Sequence, residues 1–333
     1  MLLDGNDPVA IAEAADALAA GELVAFPTET VYGLGARADD DRAVARIYAA
    51  KGRPAGHPLI VHVADVAAAR AFSASWPGLA QRLVAAFWPG PLTVIVPRAD
   101  GIAAACAGGQ STIGLRCPSH PVALALLQAC AERGVPGVAA PSANRFGRLS
   151  PTRAEHVVEE LGADLRVLDG GPCEVGIEST IVDCSRDRAV LLRPGLLTRS
   201  AIEAVLGCAL EDRDAQAPRA PGTLDAHYAP RAKVRLMDSG TLRSAMELLA
   251  SGPSDPLSEA PLKLAVYSRL LPPAGKVAIQ QTMPARADHA AHELFTVLRH
   301  FDDQGAQLIW VEEPPAAAEW DGVRDRLIRA SAA

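Results

Sequence analysis

Short apolar runs separated by stretches of helical period are the feature that most limits what this chain can become. Leu23–Phe26, Leu59–Val63 and Leu92–Pro97 read as short buried strands, and Thr112–Arg116, Gly137–Ala140, Leu165–Leu168, Ser179–Val182 and Val190–Arg193 continue the series. Helices are predicted between several of them. One has Asp7 as its cap, Pro8 in its first turn and Ile11, Ala15, Leu18 and Ala19 on one face, and it stops at Gly21. Others are expected over 41–50, up to Phe87, from Thr152 (with Glu155 three residues on, a capping-box pattern) and after Thr198. Mixed elements of this kind predict an α/β or α+β sheet and argue against a bundle or a sandwich.

The pattern changes after Gly207. Residues 211–221 are rich in Ala, Pro, Asp and Arg without periodicity, as in a linker or mobile loop. Beyond it, strands at Val234–Met237, Leu264–Tyr267 and Leu308–Val311 alternate with helices over 241–250, 288–301 and 320–330, as in a small Rossmann-like domain. The expected division is 1–207, a linker over 208–231, and 232–333.

Composition narrows the function. Aromatic residues are 4 % of the chain, so the core must come mainly from Ala, Val, Leu and Ile. A net charge of −7 argues against a surface that clings as a whole to nucleic acid or anionic lipid, so any phosphate site must be a focused cluster of Arg and Lys. The N-terminus lacks the pattern of a secretory signal, and no apolar run approaches the roughly 20 residues that span a bilayer. The six cysteines are scattered without a Cys-x-x-Cys pair, which fits reduced thiols in a cytoplasmic protein and gives no metal site.

Chemistry concentrates in a few segments. Phe26-Pro-Thr-Glu-Thr-Val-Tyr-Gly-Leu-Gly35 places two hydroxyls and a carboxylate at a strand's carboxyl end, where open α/β sheets bind ligands. Gly33 and Gly35 either admit a ligand close to the backbone or simply make a turn. Lys51-Gly-Arg-Pro54 presents two cations one residue apart, suited to polyphosphate oxygens or to a solvated helix end. His62 lies within an apolar strand, as half-buried histidines commonly do. Thr112 and Arg116 face the same side of theirs, with Arg116 able to pair a carboxylate or merely a neighbouring Asp. Pro141-Ser-Ala-Asn144, Ser150-Pro-Thr152, Glu178-Ser-Thr180 and Leu192-Arg-Pro-Gly195 put small polar groups and one more Arg beside short strands. There is no Walker sequence and no Gly-x-Gly-x-x-Gly. Physics alone thus reaches an α/β protein with a hydroxyl-rich, Arg/Lys-lined cleft for an anionic ligand.

Taken in order, Pro27–Gly35, Lys51–Pro54, Pro58–His62, Trp88–Thr93, Ala140–Asn144, Ser150–Thr152, Glu178–Thr180 and Leu192–Gly195 resemble the YrdC-like threonylcarbamoyl-adenylate synthase family. Pro221-Gly222 and His227-Tyr-Ala-Pro230 resemble the linker of its long form, which carries an extra C-terminal domain. The resemblance implies a twisted open mixed sheet with a concave basic cleft and a smaller Rossmann-like domain. It also implies synthesis of threonylcarbamoyl-AMP from L-threonine, bicarbonate and ATP, with Mg²⁺ on the triphosphate and no protein side chain identified as a metal ligand. The product would go to the machinery that modifies adenosine 37 of ANN-decoding tRNAs.

By the same carry-over Thr30, His62, Arg116, Ala140 and Ser179 hold threonine. Lys51, Arg53, His57, Thr112, Ser142, Asn144, Ser150, Arg193 and the lid residue Tyr228 serve ATP, with Lys51 and Arg53 catalytic through their charge. The chain departs from the family at His57, where Asn is usual, and over 223–226, where a Met followed by basic or aromatic residues is common. Two rivals remain. An RNA-binding module without ATP chemistry sits poorly with the acidic total and the few aromatics, which also give little support to direct tRNA binding. A carbamoyl-transfer enzyme of the hydrogenase-maturation type would need an acylphosphatase-like segment and Cys-rich fingers that the sequence lacks.

Overall fold

In the computed structural model, which describes residues 1–251, 263–269 and 279–333, the chain divides into two compact units. One comprises Met1–Phe146 with Ser150–Thr223, the other Gly147–Leu149 with Leu224–Ala333.

The first unit runs β1 (Leu2–Asp4), α1 (Pro8–Ala19), β2 (Val24–Phe26), β3 (Gly33–Arg37), α2 (Asp41–Lys51), β4 (Ile60–His62), α3 (Val66–Arg70), α4 (Gly78–Phe87) and β5 (Leu92–Pro97). It continues through α5 (Ala104–Ala107), β6 (Thr112–Arg116), α6 (Pro121–Glu132), β7 (Val138–Ala139), α7 (Ala154–Leu161), β8 (Arg166–Asp169), β9 (Thr180–Asp183), β10 (Val190–Arg193), α8 (Arg199–Leu206) and β11 (Glu211–Asp212). All eleven strands join one mixed sheet in the order β1-β8-β2-β3-β7-β4-β6-β5-β9-β10-β11.

The alternation along the central strands explains the cleft. Val61, Ile113, Leu115, Val94, Val96 and Val182 point into the main core. Their neighbours, Ile60, Thr93, Ile95, Thr112, Gly114 and Ile181, line a shallow cleft on the other face. Because the strand period is two, His62 shares that face with Ile60, and Arg116 shares it with Thr112 and Gly114.

Two local expectations fail for physical reasons. Gly33–Arg37 is a strand antiparallel to β2, not a turn. A Cβ on Gly35 would lie 2.9 Å from both Phe26 and Val138, so this glycine admits neighbouring side chains, and no ligand is needed to explain it. The helix expected from Thr152 begins at Ala154 with no side-chain cap, because Thr152 is buried, with its amide donating to Nδ1 of His156 and its carbonyl accepting from Cys173.

In the second unit the described residues give β12 (Lys233–Met237), α9 (Ser239–Ser251), β13 (Leu264–Ser268), β14 (Ile279–Thr282), α10 (Ala287–Asp303), β15 (Leu308–Glu312) and α11 (Asp321–Ser331). The four strands are parallel in the order β12-β15-β13-β14, the open sheet of a Rossmann-like domain. The strand Ile279–Thr282 was not anticipated; its Ile-Gln-Gln-Thr sequence is mostly exposed and lacks an apolar run. Among the described residues, no helix is long and apolar enough to cross a membrane.

Candidate active site

The sheet order brings the singled-out segments together. β4 and β6 are parallel neighbours with His62 in register with Arg116, so both side chains stand at the same rim. The loop between β2 and β3 meets that rim. In it Thr28 Oγ1 donates to the carbonyl of Val31 at 2.7 Å and accepts from the amides of Thr30 and Val31, which winds the segment tightly. Arg116 Nη1 then donates to Thr30 Oγ1 at 2.8 Å, and its Nη2 lies 2.8 Å from Oε2 of Glu29. Of the two readings open for Arg116, the structure shows a neighbouring acid, and it is a glutamate.

His62 is buried, and its Nδ1 has no hydrogen-bond partner among the described residues. Burial, helped by the Arg116 guanidinium, pushes its pKa down to about 3, so the imidazole is neutral at physiological pH. Ala140 follows β7, which is antiparallel to β4, and its amide donates to the carbonyl of Ile60. Ser179 precedes β9; its hydroxyl shares a 2.8 Å hydrogen bond with Thr93 Oγ1. Arg193, at the end of β10, donates to the Ser179 carbonyl from Nε and Nη2, at 3.1 and 2.9 Å.

The cations cluster at the end of α2. Gly52 takes the left-handed conformation (φ 62°) that ends the helix and turns Lys51 and Arg53 inward. Lys51 Nζ donates to the carbonyls of Ser142 (2.5 Å) and Asn144, tying the 141–146 loop to the helix. Burial, and then the charge of Arg53, hold its pKa well below the usual lysine range. Arg53 Nη2 donates to the Pro58 carbonyl at 3.0 Å and its guanidinium lies over the Phe146 ring. His57 also meets Phe146 edge-on, and burial with the nearby Arg53 and Arg219 lowers its pKa. Ser150 donates to Glu178, and Thr112 lines the cleft floor.

Tyr228 belongs to the second unit, where His227, Phe295 and Arg326 surround its ring and its φ is 58°. The cleft of the first unit takes its edge from Arg219 and Pro221. Arg219 exchanges hydrogen bonds with Gln110, and the Pro221 carbonyl accepts from Arg193 at 3.0 Å. Glu29, Glu178, Thr93 and Arg219 were missed as site residues. Glu29, Glu178 and Thr93 sat inside quoted motifs, so position alone was the available signal; Arg219 had none.

The fold and the rim define an α/β protein whose mixed sheet gathers buried hydroxyl, imidazole and guanidinium side chains at one edge of a cleft. A family model described as "Telomere recombination" matches residues 16–195, and a model of the threonylcarbamoyl-AMP synthase C-terminal domain matches 197–332. Threonylcarbamoyl-AMP synthase of Bacillus subtilis is 40 % identical over 99 % of this chain and 94 % of its own. Its counterpart in Pyrococcus abyssi is 38 % identical over 93 % of this chain and 91 % of its own. The structure of Pyrococcus abyssi Sua5 complexed with L-threonine superposes with a TM-score of 0.88 at 35 % identity, covering 99 % of this chain and 97 % of that one. The chain belongs to the threonylcarbamoyl-AMP synthase family, in its long two-domain form.

Proposed function

We propose that the protein joins L-threonine, bicarbonate and ATP into threonylcarbamoyl-AMP and pyrophosphate, for N6-threonylcarbamoylation of adenosine 37 in ANN-decoding tRNAs. The observation that carries this is the meeting of Thr30, His62, Arg116 and Ser179 at one rim, next to Arg193, in a chain of this family. In this reading Arg116 takes the threonine carboxylate, with Thr30, the neutral His62, Ala140 and Ser179 around the side chain.

Lys51, Arg53, Arg193, Thr112, Ser142, Asn144, Ser150 and His57 serve the nucleotide. The threonine carbamate attacks the α-phosphorus and pyrophosphate leaves. Catalysis is then positioning plus stabilisation of phosphate charge, with no covalent enzyme intermediate. Mg²⁺ bound to the triphosphate would neutralise phosphate charge. Among the described residues no group of three or more His, Cys, Asp or Glu side chains is placed to hold a metal ion.

The two halves of the assignment separate by calorimetry. Arg116→Ala should lose threonine binding and keep ATP binding, and Arg53→Ala should do the reverse. Unchanged threonine affinity in Arg116→Ala removes the first assignment; normal turnover in Arg53→Ala removes the second.

A further inference from the structure

Glu29 is a carboxylate only 3 % exposed, held on a backbone that the amide of Val175 fixes through the Glu29 carbonyl at 2.7 Å. Its Oε2 is 2.8 Å from Nη2 of Arg116, yet the N–H direction does not serve the contact. Among the described residues neither carboxylate oxygen receives a hydrogen bond. Arg116 Nε and Nη2 likewise donate to no acceptor, while Nη1 is committed to Thr30. Buried polar groups are satisfied in the great majority of cases, so a carboxylate and a guanidinium left this way side by side match a ligand carrying both charges. An α-amino acid is such a ligand: its carboxylate suits Arg116 and its ammonium suits Glu29. A hydroxy acid would satisfy only the first.

We infer that Glu29 is a catalytic residue: it receives the α-amino group of threonine and takes its proton as the carbamate forms. This rests on reading the rim as the threonine pocket. One ammonium proton passes to the Glu29 carboxylate, and the freed nitrogen lone pair adds to the bicarbonate carbon. The C–N bond forms, the C–OH bond breaks, and the hydroxyl leaves as water with the proton Glu29 held. Glu29 then takes the second proton from nitrogen, leaving the carbamate anion, and releases it to solvent. The balance is one ammonium and one bicarbonate giving one carbamate, one water and one proton. A merely structural counter-ion of Arg116 would do none of this.

Calorimetry on the full chain tests it with two ligands, L-threonine and the 2,3-dihydroxybutyrate of matching configuration, in which a hydroxyl replaces the amine. The wild type should prefer threonine by roughly ten- to a hundredfold, the worth of a buried charged hydrogen bond. In Glu29→Gln that preference should collapse to within a few-fold. A variant that discriminates as the wild type does overturns the inference, as does a wild type that binds both ligands equally. Should the Gln variant not fold, the wild-type comparison still decides, and Glu29→Asp, which keeps the charge on a shorter arm, should retain the preference and lose turnover. A wild type that binds neither ligand sinks the threonine reading itself, which separates that failure from this one.

Discussion

Arg116 and Glu29 are worth more as a pair than either is alone. Each is less than a tenth exposed, so removing one leaves an uncompensated buried charge at a cost of about 3–5 kcal/mol. Arg116→Ala should therefore lower the urea midpoint as well as threonine affinity, and a stability unchanged within about 0.5 kcal/mol would contradict the burial. His62 makes a pH prediction. Its folded pKa, about 3, lies below the ordinary value near 6.5, so between those values the unfolded chain binds a proton that the folded chain refuses. Its contribution is thus lost as pH falls below about 6.5, at up to about 1.4 kcal/mol per pH unit. His62→Gln should flatten the fall in stability between pH 7 and 5 by that slope, measured by urea unfolding; an identical fall would contradict the burial argument. At this scale the sequence displayed the residue types but not their pairings. Glu29 was visible beside Thr30, and only the β2–β3 turn shows that it meets Arg116.

Elements decide which glycines matter. Gly35 lies in β3 where a Cβ would press on Phe26, Val138 and the Val24 carbonyl at 2.9–3.0 Å, all of them rigid neighbours. Gly35→Ala should cost about 1–3 kcal/mol through overpacking. Gly114 lies in the cleft floor, where a Cβ would meet Ile60 and Thr93 at an ordinary 3.5 Å. Gly114→Ala should leave thermal stability nearly unchanged and raise the KM for a substrate, because it fills the floor. Equal thermal losses in the two variants would contradict this division. Strands β5, β6 and β10 were legible to the residue because their runs are apolar and bounded by turn residues. β3 was not, since Gly-Leu-Gly-Ala-Arg has no β-branched residue and two glycines that signal a turn. The helix after Thr152 was legible in existence but not in its start, because burial of Thr152 overrode the capping pattern.

For the whole molecule, two features of composition carry through. The low aromatic content is met by a core of Ala, Val, Leu and Ile packed on an eleven-stranded sheet. The net charge of −7 coexists with three buried cations, Lys51, Arg53 and Arg193, in the first unit. RNA binding should therefore be weak and non-specific at physiological salt; a tight interaction whose affinity falls steeply with salt in filter binding would favour the RNA-binding rival. The mixed sheet and the Rossmann-like second unit were both legible from the alternation of short strands and helices, whereas the strand order that assembles the rim was not, because it depends on pairings between distant segments. Pyrophosphate release from ATP by the purified full chain, with threonine and bicarbonate omitted in turn and the product weighed by mass spectrometry, distinguishes threonylcarbamoyl-AMP synthesis from every other use of the scaffold. Release should require both, with a product of threonylcarbamoyl-AMP mass; release by folded protein that is indifferent to threonine would rule that synthesis out.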